Sequence, residues 1–271
     1  MNILAHCKAS YEVLKGRKLT AEDEALLFLG STLPDVSEFG LVESGETHNK
    51  GFDFLKSLAK KYHYLAVGVI LHGEKTRGLD YYAHGQKGYI AKKQKEIMKI
   101  VRHYKKVFPK KTDFPMIAHI IIEFCFEYLT VEKDPEILSR FRKANKNPIL
   151  IMGIYNFANF FNIKRKYIKT ILRITKTNRI EKFTLNFRTL KGTAHNFQNF
   201  IFLKNVRDKS KEPNWLDRLT KSSYGYLKSR VQEKQFEQMF ARCIEVVRKD
   251  YNTLMDRAIR NMKKVVREHK L

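Results

Sequence analysis

At 271 residues the chain can build one large domain or two modest ones, and an apolar fraction of 43% is ordinary for a packed globular protein and excludes a disordered one. The net charge of +25 is unevenly spread: residues 1–135 hold 21 Lys and Arg against 17 Asp and Glu, while residues 136–271 hold 32 against 11. Seven of the nine histidines fall in the nearly neutral half, so metal chemistry is expected there and attraction of a polyanion from the rest.

In chain order, helical signals dominate. The opening MNILAHCKAS has no cationic stretch followed by an apolar segment, so no signal peptide is expected and a cytoplasmic location is. LTAEDEALLFLGS carries Thr20 as an N-cap, acidic residues in the first turn and Gly30 near its end. KGFDFLKSLAKKYHYLAVGVILH keeps apolar residues at helical spacing, and YIAKKQKEIMKIVRHYKKVF is amphipathic. FPMIAHIIIEFCFEYLT follows as an apolar helix interrupted by His119, Glu123 and Glu127, which share one stripe at a repeat of 3.6. Its apolar run is shorter than the roughly 20 residues of a membrane span, so no transmembrane helix is expected. VEKDP breaks the chain, which places a boundary near 135 between a metal-binding helical domain, 1–135, and a basic, mainly helical region, 136–271. In the second part NPILIMGIYNFANFFNIKRKYIKTILRI reads as helix, and residues 175–206 read as less regular, with alternation at Phe183, Leu185 and Phe187 that could make a short hairpin. A polar turn, RDKSKEPN, precedes a long final helix from about Ser229. The fold class expected is all-α. Cys7, Cys125 and Cys243 lack metal-site spacing and suit reduced, buried thiols.

The histidines keep acidic company. His6 stands near the start, Asp35 follows a proline, and His48, His72, Asp80 and His84 come before His119 and Glu123. Asp80 with His84, and His119 with Glu123, are i, i+4 pairs, each able to project two ligands from one helix face. His72 lies two turns before Asp80 if the helix runs on through Gly73 and Gly78. Zinc takes imidazole and carboxylate ligands at about 2.0–2.2 Å, and two facing claws completed by Asp35 and His48 could hold two or three ions. A lone histidine on an apolar helix is more often a satisfied core residue; the company of carboxylates is what favours ligation.

At these residues the sequence resembles the zinc-dependent phospholipase C family, whose fold is shared with the single-strand-specific zinc nucleases. The ordered set is His6, Gly30 with STLPD to Asp35, TH at His48, GVILH at His72, then Asp80, His84, and H-x-x-x-E at His119 and Glu123, over roughly residues 1–130. The resemblance implies a metal-dependent phosphodiesterase with zinc, or manganese, bound by those eight residues, with Asp35 and Glu123 as the catalytic carboxylates and Asp35 as general base or bridging ligand. Its secreted members supply metal ligands from an N-terminal tryptophan, whereas this chain has only Trp215. MNILAH with GSTLPD also resembles the opening of acyl carrier protein phosphodiesterases. No P-loop, GxGxxG or Ser-His-Asp order supports other hydrolase or nucleotide readings. Lys164, Arg165, Lys166 and Lys169, interleaved with Tyr and Ile, suit a polyanionic phosphodiester substrate, either phospholipid or nucleic acid, or an anionic membrane surface. The alternative reading is a non-catalytic basic protein that binds nucleic acid or such a membrane.

Overall fold

The computed structural model describes residues 3–39, 44–84, 88–108, 112–176, 179–209 and 230–271, and among them there are helices and turns but no strand. The expected polar turn at 207–214 lies outside the described residues from 210 on, as does Trp215. Helix α1 spans Ile3–Leu14 and α2 spans Ala21–Gly30. Thr20 caps α2 reciprocally: its hydroxyl accepts from the Asp23 amide, and the Asp23 carboxylate accepts from the Thr20 amide. A 3₁₀ turn, Leu33–Phe39, and the short helices α3 (Ser44–Asn49) and α4 (Gly51–Ser57) lead to α5, His63–His72.

Helices α2 and α5 cross at a pair of glycines. A β-carbon on Gly30 would stand 2.0 Å from the Leu65 carbonyl oxygen, and one on Gly68 would stand 2.4 Å from that of Leu27, so only glycine permits this backbone approach. The helix does not continue from His72 to Asp80. Gly73 turns the chain, the Thr76 hydroxyl donates to the carbonyls of Ile70 and Gly73, and α6 (Leu79–Ala83) begins afresh. Helix α7 is Tyr89–His103 and α8 is Phe114–Lys133, the latter capped by Asp113, which accepts from the Met116 amide, with Pro115 in its first turn.

At 20 residues α8 is long and apolar enough to cross a membrane, against the expectation from its shorter unbroken apolar run. Yet 72% of its most apolar window is buried inside the protein, the behaviour of a central core helix. The break at Pro135 separates α8 from α9 (Glu136–Asn145), followed by α10 (Ile149–Phe160) and α11 (Arg165–Lys176). Buried apolar side chains on both sides of that break belong to one continuous core.

The hairpin expected around residues 183–187 is absent: α12 (Arg179–Leu185), a 3₁₀ turn (Asn186–Arg188) and α13 (Leu190–Lys209) occupy that stretch. Phe183 and Phe187 lie one helical turn apart and both pack edge-on against Phe124 of α8, at ring separations of 6.1 and 5.5 Å. The apparent period-two alternation was one half of a helical repeat. The C-terminal helix, Arg230–Glu268, packs against α8, α1, α7 and α13. Tyr251 anchors it to α8 through a 2.8 Å hydrogen bond between its hydroxyl and that of Thr130, and through its ring against Phe126.

Candidate metal centre

The eight ligand candidates arrive from six elements. His6 comes from the second turn of α1, Asp35 from the 3₁₀ turn after α2, His48 from the end of α3, and His72 from the last residue of α5. Asp80 lies in α6, His84 at its C-cap, and His119 and Glu123 on successive turns of α8. The structure brings them together. Asp35, His48, His72 and Asp80 offer ligand atoms all within 4.8 Å of one another, and so do His84, His119 and Glu123.

Spacing within these groups is informative. In a tetrahedral site with bonds of about 2.0–2.1 Å, neighbouring ligand atoms stand about 3.3–3.4 Å apart. In the first group His72 Nε2 is 3.3 Å from Asp35 Oδ1 and 3.2 Å from Asp80 Oδ2, while His48 Nε2 is 3.8 and 3.3 Å from the same two oxygens. In the second, Glu123 Oε1 is 3.1 Å from His119 Nε2 and 3.6 Å from His84 Nε2. Asp80 touches both sides: Oδ2 faces His48 and His72, while Oδ1 faces His6 at 3.2 Å and His84 at 3.5 Å. The bridging position is therefore that of Asp80, where Asp35 was the sequence-based choice. The i, i+4 pair Asp80 and His84 faces as its spacing implies, at 3.5 Å, and His84 Nε2 also lies 3.6 Å from Glu123, so the pair links the two groups.

Supporting contacts fix the ring orientations. His72 Nδ1 is 2.8 Å from the Ser31 carbonyl oxygen, to which it can only donate, so Nε2 is the ring nitrogen left to face Asp35 and Asp80. His48 Nδ1 contacts the Thr47 hydroxyl at 3.1 Å, and that hydroxyl donates to the Pro34 carbonyl. His6 stacks on His72 with ring centroids 4.0 Å apart. His6 Nδ1 and Asp35 Oδ2 are buried without a hydrogen-bond partner, the condition expected of atoms able to take a further ligand.

The electrostatics agree. Burial pushes the carboxyls of Asp35 and Asp80 up, but it is outweighed by the charge on His72, for Asp80 also that on His84, taken together with hydrogen bonds from His48 to both, from His72 to Asp35 and from His6 to Asp80, so both stay well below the usual range. Burial disfavours charge on His48 and His72 also, yet the same two carboxylates raise His72 well above its ordinary value and His48 to about 9. His6 is lowered, by burial and then by the charge on His72. Glu123, despite burial, is brought to about 2 with help from His119 and His84. Among the described residues no Lys or Arg ion pair is seen at Asp35, Asp80 or Glu123, and a divalent ion could balance these buried carboxylates. Access is one-sided: His6, Asp35, His72, Asp80 and Glu123 are buried, whereas His48, His84 and His119 have side chains 15%, 24% and 37% exposed.

No family model, characterised protein or solved structure matches this chain. The two groups of acidic and histidine side chains could bind metal ions.

Sequence reasoning placed Glu127 on the stripe of His119 and Glu123, but its work lies elsewhere. Glu127 is fully buried, and its two oxygens accept from the amides of Leu4 and Ala5 at 2.9 and 3.1 Å, clamping the first turn of α1 onto α8. Burial raises its pKa to about 8 against those two donors. Neither this clamp nor the Ser31 carbonyl had a signal in the sequence. Lys164, Arg165, Lys166 and Lys169 are exposed, at and just before the start of α11.

Proposed function

We propose that the chain is a metal-dependent phosphodiesterase of the kind implied by its resemblance to zinc-dependent phospholipase C, acting on an anionic phosphodiester. The observation that carries this reading is the division of seven His, Asp and Glu donors into two adjoining groups at ligand-to-ligand spacing, joined through Asp80. Asp35, His48, His72 and Asp80 would hold one ion and His84, His119 and Glu123 a second, with His6 beside Asp80 available to a third. Divalent ions bound there would polarise a phosphoryl oxygen and acidify water. The chain's own residues then supply the rest. Asp35 would act mainly as a ligand, its Oδ2 buried and unpaired, Glu123 would hold His119 and His84 in orientation, and the partly exposed His84 and His119 would leave a side on which a phosphodiester could enter.

The identity of the metal is tested by elemental analysis of purified protein, where two or more zinc or manganese ions per chain are expected. Activity is tested with a panel of phosphatidylcholine, single-stranded nucleic acid and acyl carrier protein. A fully loaded protein that cleaves none of them refutes the phosphodiesterase reading, and a chain that binds no divalent metal refutes its basis.

A further inference from the structure

Helix α10 departs from the usual charged surface helix, because its outward face carries no charge and sets two large apolar side chains beside the polar Asn156 and Asn159. No charged residue occurs between Lys146 and Lys164, so both faces of α10 lack charge. The inner face packs on α2, with Gly153 letting Leu26 and Leu29 approach closely. The outer face exposes Met152 and Tyr155, three residues apart, at 49% and 40%. Among the described residues only Tyr81 is another large hydrophobic of that exposure. Cations bracket this patch. Residues 137–180 contain 11 Lys and Arg and not one Asp or Glu, and Lys143 and Lys146 before α10, like Lys164 and Arg165 after it, are exposed.

We infer that the outer face of α10 docks on an anionic lipid bilayer, inserting Met152 and Tyr155 at the headgroup boundary while the flanking lysines and arginines neutralise lipid phosphates. This combination of exposed apolar side chains between cationic ends is the composition of an interfacial helix, and either half alone binds weakly. A second copy of the chain does not fit the same face, because pairing would set two all-cationic segments against each other. A nucleic acid would use the cations but gains little from a methionine. The docking does not depend on metal binding or on catalysis, so it is read by binding alone.

The test is sedimentation of the full chain with vesicles of phosphatidylcholine alone and of phosphatidylcholine mixed with the anionic phosphatidylglycerol. Binding is expected to the anionic vesicles only, and to weaken as salt is raised. The double substitution Met152→Ser with Tyr155→Ser leaves charge unchanged and touches exposed positions, so the fold, checked by circular dichroism, and the metal content should persist. It should lower the partition coefficient about tenfold, from loss of the inserted apolar surface. Lys164→Glu with Arg165→Glu should lower it at least as much at low salt. Vesicle binding by the serine variant equal to that of the unaltered chain overturns the inference. So does binding of single-stranded RNA without affinity for vesicles, or a dimer in solution that the serine variant converts to monomer.

Discussion

Replacing Gly68 with alanine tests how the first ligand group is built. The new methyl carbon would lie 2.4 Å from the Leu27 carbonyl oxygen, 2.7 Å from the Ser31 amide nitrogen and 2.8 Å from the Gly30 carbonyl carbon, against 3.4 Å for an ordinary contact. All three neighbours are backbone, so no side chain can swing aside and α2 must move from α5 by about 1 Å. That shift separates the Ser31 carbonyl, at the end of α2, from His72, at the end of α5, and it moves Asp35 with the chain that follows. Sites of this kind tolerate about 0.5 Å before function is lost. Overpacking costs about 1–3 kcal/mol, and at about 2–4 °C per kcal/mol for a chain of this size the melting temperature should fall by roughly 2–12 °C. Disturbing a ligand's support should lower metal affinity about 10- to 100-fold. Differential scanning calorimetry and metal titration read the two effects. Gly16→Ala is the control: Gly16 has φ +99° with nothing within 4 Å of its would-be β-carbon, so alanine there should cost stability but leave metal affinity intact. A Gly68→Ala protein with an unchanged melting temperature and full metal load would refute the close-crossing account.

His119→Ala should remove one ion per chain by elemental analysis and leave the Asp35, His48, His72 and Asp80 group loaded; loss of every ion, or of none, contradicts the division into two groups. In the metal-free protein His48 is raised from its ordinary 6.5 to about 9, so its contribution to stability is full below about pH 6.5 and disappears as pH climbs to 9. The melting temperature of the chelated protein should therefore decline across that interval while metal affinity of the Asp35, His48, His72 and Asp80 group rises, since an ion bound there displaces that proton; a metal-free curve that rises from pH 6.5 to 9 would oppose this. Glu127→Leu strands the buried amides of Leu4 and Ala5 at about 1–3 kcal/mol each, whereas Glu127→Gln keeps a carbonyl acceptor and should cost clearly less in urea unfolding. Equal losses for the two substitutions would mean that these hydrogen bonds contribute little.

What could be read in the sequence was local periodicity. His119 and Glu123 are adjacent because a helix repeats every 3.6 residues, and α8 is helical through both, so spacing alone sufficed. The same rule brought Asp80 and His84 to 3.5 Å, but not the further contacts of Asp80 with His6, His48 and His72, which come from other elements. It failed for Glu127: the stripe was right, but what stands opposite its fourth-residue continuation is the start of α1, a tertiary fact. Phe183 and Phe187 misled for the complementary reason, since helix and strand patterns coincide over four or five residues and only packing on Phe124 decides between them. The selection of Nε2 on His72 rests on a backbone oxygen 41 residues away, and backbone atoms carry no letter in a sequence.

Helix α8 touches both ends of the chain, through Glu127 to the first helix and through Thr130 to the last. During synthesis its ligand-bearing half is complete some 140 residues before the helix that covers its other side, a delay of roughly 7–28 s at 5–20 residues per second. For that interval the nascent protein carries a long apolar stripe with no cover, including Phe124 and Phe126, which in the finished fold meet Phe240 and Tyr251. The rate at which ribosomes deliver residues 230–268 sets how long that stripe stays uncovered.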